Sequence, residues 1–154
     1  MIKPTFVDSK LRKSIEDRAS ICDQRTLALW AADCAEHVLR HFERKAPADD
    51  RPRRAIEAAR VWVRGELPMA RARRAAFAAH TAAREAGDAA AAAAARAAGH
   101  AAATAHAAAH AVHAATYAAK ACAHASGPGV SAAADRVREW QLRRLAELYG
   151  GETI

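Results

Sequence analysis

The sequence predicts an all-α fold, a compact alanine-rich bundle of six to seven helices. Three observations predict it. Alanine, which loses no side-chain entropy in a helix, occupies 47 of the 154 positions. The larger apolar residues recur at three- and four-residue spacing. Valine, isoleucine and the aromatics nowhere form an alternating run of strand length. The length suits one domain over residues 1–154. Alanine contributes little area per residue, so such a core gains by bringing helix axes close together.

Residues 1–8 read as an irregular arm. A first helix starts near Asp8 or Ser9, both plausible N-caps, and runs through Leu11 and Ile15 towards Ile21. A second spans Asp23 to Lys45, with Leu27, Trp30, Ala31, Cys34, Val38 and Phe42 on one face. Pro47 and Asp49-Asp50 end it. Asp50 then caps a third helix that has Pro52 in its first turn and Gly65 at its close. A fourth runs from Pro68 to about Ala86, its inner face Ala72, Ala76, Ala79 and Ala83, flanked by Phe77 and His80. Gly87 stops it and Asp88 caps the next.

From Asp88 to Ala125 punctuation nearly vanishes. One helix of that length would reach roughly 55 Å, too long for a compact domain of this size. A break is expected between Gly99 and Ala109, with Gly99 the visible candidate. The low-complexity alanine tract should form the most buried part of the fold. Residues 126–131 form a Gly/Pro breaker. A last amphipathic helix, Ala132 to Tyr149, carries Val137, Trp140, Leu145 and Leu148. Its Trp140 and Tyr149 could serve a dimer or close the bundle, so monomer and dimer both stay open.

The net charge is +7 and the isoelectric point about 9.9. Such a charge favours acidic partners and says nothing of fold. Three cysteines, Cys22, Cys34 and Cys122, with no CxxC pair, argue for reduced thiols and a cytoplasmic location. The polar N-terminus is unlike a signal peptide. The alanine tract is too polar-studded to cross a membrane.

The most unusual local feature is a polar stripe. On a straight helix over 106–124, His106, His110, His113, Tyr117, Lys120 and His124 share an arc of about 80°. His100 falls off that arc. Three readings compete. The imidazoles bridge helices by hydrogen bonds or face solvent. Alternatively His106, His110 and His113 hold zinc, nickel or copper, since i,i+3 and i,i+4 imidazoles suit those ions; no carboxylate joins the stripe and no HExxH occurs. His37 and His41 form another such pair on a different helix. In the third reading His100, His106, His110, Tyr117 and Lys120 form a recognition face for a partner or a small ligand.

A second feature is basic. Residues 51–74 carry eight arginines, Arg51, Arg53, Arg54, Arg60, Arg64, Arg71, Arg73 and Arg74, against Glu57 and Glu66. The surface could meet phosphate, but no nucleic-acid-binding signature accompanies it, and solvated helix faces are the commoner explanation. No nucleophilic motif or Gly-rich phosphate loop occurs. Cys22, Cys34 and Cys122 read as small buried hydrophobes. No catalytic residue and no cofactor are therefore expected.

Several blocks are distinctive: Asp50-Arg51-Pro52-Arg53 followed by Ala55-Ile56-Glu57-Ala58 and Arg60-x-Trp62; Arg74-Ala75-Ala76-Phe77-Ala78-Ala79-His80; and Ala97-Ala98-Gly99-His100 through Thr104-Ala105-His106, then His110 and Tyr117-Ala118-Ala119-Lys120. Together, over residues 23–124, they resemble the small all-helical bacterial immunity proteins of polymorphic toxin systems. The resemblance implies a non-enzymatic toxin–antitoxin role: binding a cognate protein toxin and neutralising it. An acidic toxin surface would suit the basic charge, with Arg53, Arg60, Arg71 and Arg74 as contact residues, arginine being enriched at such hot spots. The resemblance transfers no catalytic residue. In the family pattern a proline falls between the histidines of the third block, where this chain has Ala107, Ala108 and Ala109. A metal- or small-ligand-binding helical domain, and a basic nucleic-acid binder, stand as alternatives.

Overall fold

The computed structural model describes residues 6–127 and 131–152. Among these there are eight helices and no strand: α1 (Arg12–Ala19), α2 (Gln24–Val38), α3 (Arg40–Glu43), α4 (Arg51–Val63), α5 (Met69–Glu85), α6 (Ala89–Ala103), α7 (His110–Ser126) and α8 (Ser131–Glu152). The expected six to seven become eight because the helix expected over 23–45 is interrupted at Leu39. There the Leu39 N–H bonds to Glu36 O, a tightened three-residue turn. The guanidinium of Arg40 donates to the His37 carbonyl beside the break.

The alanine tract supplies the centre. α6 packs against α5 and α7 on either side and also touches α2, α3 and α4. Ten of its fifteen residues are buried, nine of them alanine and the tenth Gly99. α7 contributes Ala111, Ala114, Ala115, Ala118, Ala119, Ala121 and Cys122 to the interior. Larger side chains fill the end nearer α2: Trp30, Val38, Leu39, Phe42 and Ile56 lie in the same core. α8 closes the assembly over α7, α1 and α2, placing Val137 and Leu145 in the core. Trp140 stacks on His37, ring centroids 4.1 Å apart, so this ring serves closure.

The local signals act mostly as chemistry requires. Asp23 accepts from Thr26 N–H and Asp88 from Ala91 N–H, each satisfying an orphan donor of the first turn. Gly65 and Gly87 take φ of +77° and +67° past the ends of α4 and α5. Asp50 stands at the N-cap of α4 but its side chain makes no capping bond; Asp49 accepts the Arg51 N–H at 3.1 Å in its place. In α1, Ile15 is buried, whereas Ile21 lies beyond the helix end and is 59% exposed.

The long helix does break inside the expected interval, though not at Gly99. Gly99 sits buried within α6, and the chain leaves the helix at Thr104. The Gln24 amide donates to the carbonyls of Thr104 and Ala105, at 2.9 and 3.1 Å, satisfying acceptors that the helix end leaves free. The straight helix assumed from residue 106 is thus replaced by a turn through residues 104–109 and a new helix from His110. The first eight residues are described only from Phe6. The breaker keeps Gly127 at φ +89°, while 128–130 lie outside the described residues.

One polar network holds the two ends of the chain together. Arg138 on α8 is 1% exposed. It donates to both carboxylate oxygens of Asp8 at 3.0 and 2.7 Å, to Thr116 Oγ1 at 2.9 Å and to Gln141 Oε1 at 3.0 Å. Gln141 donates onward to Ala115 O, and Trp30 Nε1 donates to Gln141 O. Burial opposes ionisation of Asp8, but hydrogen bonds and charge from Arg138 outweigh it and hold the carboxyl below its ordinary range.

Candidate functional site

Two surfaces follow from the residues singled out in the sequence. The first is an imidazole cluster where α5, α6 and α7 meet. The turn at 104–109 folds α7 back along α6, so His100, off the expected arc, becomes the cluster's centre. Its Nδ1 lies 2.9 Å from Nδ1 of His110. The His100 ring stacks on Tyr117 at 5.2 Å and meets His113 at 5.5 Å and His80 edge-on at 4.9 Å. His106 belongs to the connecting turn, is exposed, and touches His110 edge-on at 5.1 Å. Lys120 sits over the rings of Tyr117 and Phe6, at 4.8 and 5.7 Å. His124, at the far end of α7, lies apart and lines a depression together with His41.

The contact between His100 and His110 requires complementary tautomers, one Nδ1 carrying the proton and the other accepting it. Two imidazolium rings would oppose two donors there. Burial, then the charges of His80, His110 and His113, push His100 down to about 3. Burial likewise lowers His80 and His110. These three rings are neutral at physiological pH. Among the described residues no three His, Cys, Asp or Glu side chains are arranged to hold a metal ion, His106, His110 and His113 included. Nδ1 of His80 is buried without a hydrogen-bond partner. The residue that sequence reasoning undervalued is His80; its signal was its place three residues after Phe77, on the α6 side of α5.

The second surface is the arginine-rich one, and the structure divides it in two. On α4 and its flanks the guanidinium groups are committed. Arg51 bonds Asp49 and Glu85, Arg53 bonds Glu43, Arg54 bonds Asp50 and Arg64 bonds Glu66. Arg60 bonds Glu36 at 2.8 Å and Asp33 at 3.0 Å, while Arg144 of α8 reaches the other oxygen of Asp33. Hydrogen bonds from Arg60 and Arg53 lower Glu36 and Glu43 below the usual carboxylate range. Arg53 and Arg60 therefore fasten helices to one another.

On α5 the situation reverses. Arg71, Arg73 and Arg74 are exposed and have no carboxylate partner among the described residues. Arg73 lies over the Phe77 ring at 5.4 Å. Phe77 and Met69 are 57% and 46% exposed, large apolar groups on an outer face. With Ala70 and Arg74 they line a shallow depression of about 280 Å³. Met69, Arg73 and Phe77 follow at four-residue intervals, so they form one ridge.

A family profile, described as Imm-5 like putative immunity protein, matches residues 18–148. The chain belongs to that family. The match covers α2 to α7 whole, most of α8 and the end of α1, a span that contains the histidines of the imidazole cluster and the arginine ridge. Neither a curated protein nor a solved structure matches the chain. No described helix of the Imm-5 like protein is long and apolar enough to cross a membrane.

Proposed function

We propose that this Imm-5 like protein is the inhibitor of a toxin–immunity pair and that it grips its cognate toxin with the outer face of α5. One observation carries the choice of surface: two guanidinium groups without a carboxylate partner, Arg73 and Arg74, line one depression with two exposed apolar side chains, Met69 and Phe77, on a single helix. Arginine next to an aromatic anchor is the composition of a binding hot spot. The neighbouring arginines of α4 are neutralised within the molecule and offer a partner little. The partner face is an acidic protein surface with an apolar hollow for Phe77. Electrostatic attraction would speed the encounter, and burial of Phe77 and Met69 would hold the complex.

The test is protection of cells that express the cognate toxin, together with direct binding. Arg73→Glu and Phe77→Ala, combined, should abolish protection and leave the helical signal intact. Arg53→Ala, on the ion-paired side, should retain protection. Protection by the first variant equal to that of the unaltered protein removes α5 from the interface. Tight binding of nucleic acid by the unaltered protein at physiological salt would favour the phosphate reading instead.

A further inference from the structure

Near the start of α6, at the other end of that helix from His100, two adjoining depressions share His41 and Ala125 as a common wall. Their volumes are about 270 and 560 Å³. Cations reach them from separate elements: Arg40 from α3, Arg44 and Lys45 from the turn after it, and Arg136 from α8. Arg44, Lys45 and Arg136 form no ion pair among the described residues. Arg40 spends one N–H on the His37 carbonyl. The one carboxylate in the lining is Asp88, and its Oδ2 already accepts from Ala91 N–H. His41 and His124 add two imidazoles, and Nε2 of His41 is buried with no hydrogen-bond partner.

Arg40 and Arg136 line one hollow and Arg44 and Lys45 the adjoining one, where like charges repel, whereas the arginines of α4 are matched to carboxylates. We infer that the groove is a binding site for a small multivalent anion of the phosphate class, of the size of pyrophosphate or a nucleoside diphosphate. The donors come from several elements, α3, the turn after it and α8. That arrangement suits a tetrahedral group presenting three oxygens better than a planar carboxylate, which one guanidinium fork satisfies. Ala89 and Ala90, the first residues of α6, line the larger hollow beside Asp88, whose carboxylate caps that helix. This site is independent of toxin binding and lies on different residues.

The experiment is calorimetric titration of the full chain with pyrophosphate at about 50 mM salt, with nucleoside diphosphate as a second arm. Saturable one-to-one binding is expected. Arg44→Gln and Arg136→Gln, both at exposed positions, should each weaken it by roughly tenfold, an effect of about 1.4 kcal/mol. Arg74→Gln, on the α5 ridge, should leave it unchanged. Tighter binding of the nucleoside diphosphate than of pyrophosphate assigns part of the hollow to a base. Imidazole resonances of the unaltered protein give a readout that needs no variant: His41 and His124 should shift on titration while His106 and His113 stay. Absence of saturable binding, an equal loss in Arg74→Gln, or shifts spread over all four imidazoles would overturn the site.

Discussion

The ring of His80 rests where a side chain at Gly99 would begin: a β-carbon built on Gly99 would lie 2.6 Å from Cε1 of His80. The missing methyl is what lets α5 carry an imidazole flat against α6 and edge-on to His100.

Gly99→Ala should therefore cost stability despite its better helix propensity. The gain of about 1 kcal/mol from propensity is outweighed by an overpacking cost of about 1–3 kcal/mol, because His100 blocks one way out for the ring. In a His80→Ala background only the propensity gain remains, and the sign should reverse. Denaturant unfolding of the four species checks this; equal effects in both backgrounds would show that the two positions are uncoupled.

The imidazole cluster makes the fold sensitive to acid. His100 titrates near 6.5 when unfolded and at about 3 when folded. Its folded value is depressed, so the unfolded chain binds more protons between these limits, and stability falls as pH drops through that window. His80 and His110 act in the same direction. Melting temperature measured from pH 7 to pH 3 should fall less steeply for His100→Gln than for the unaltered protein. Parallel curves would show that His100 is not the proton acceptor.

Asp8→Ala should be the most damaging substitution outside the apolar core. It leaves the buried guanidinium of Arg138 without its counter-charge, at a cost of about 3–5 kcal/mol. Unfolding in urea measures it. A loss under about 1 kcal/mol would mean that the pair behaves as a surface salt bridge.

Substitutions on the α5 ridge should do the opposite. Arg74→Ala and Met69→Ala, at exposed positions, should change stability by no more than about 0.5 kcal/mol, while weakening any complex the ridge makes. A large loss of stability in either variant would assign these side chains to the fold.

Much of the fold was legible because helix signals are local. Alanine content, the Asp88 cap and the glycine closures located most of the helices, and the length argument placed a break between Gly99 and Ala109. The site was less legible because its geometry depends on that break. Placed on one straight helix, His106 joined the stripe and His100 left it; the turn at Thr104, secured by Gln24 from 80 residues away, reverses the two roles. The pairing of Arg53 and Arg60 was hidden for the same reason, since charge counted along the chain does not reveal that Glu43 and Glu36 face them across helices. Arg138 gave no local signal at all, its partner Asp8 lying 130 positions earlier.

The inward face of α5 consists of Ala72, Ala76, Ala79, Ala82 and Ala83. Apart from His80 over Gly99, this helix is seated by methyl groups, so few interlocking side chains constrain what stands on its other side. Its outward letters can be rewritten one at a time with the seat undisturbed. An inhibitor so built can follow a changing target by surface substitution, at little risk to its own folding.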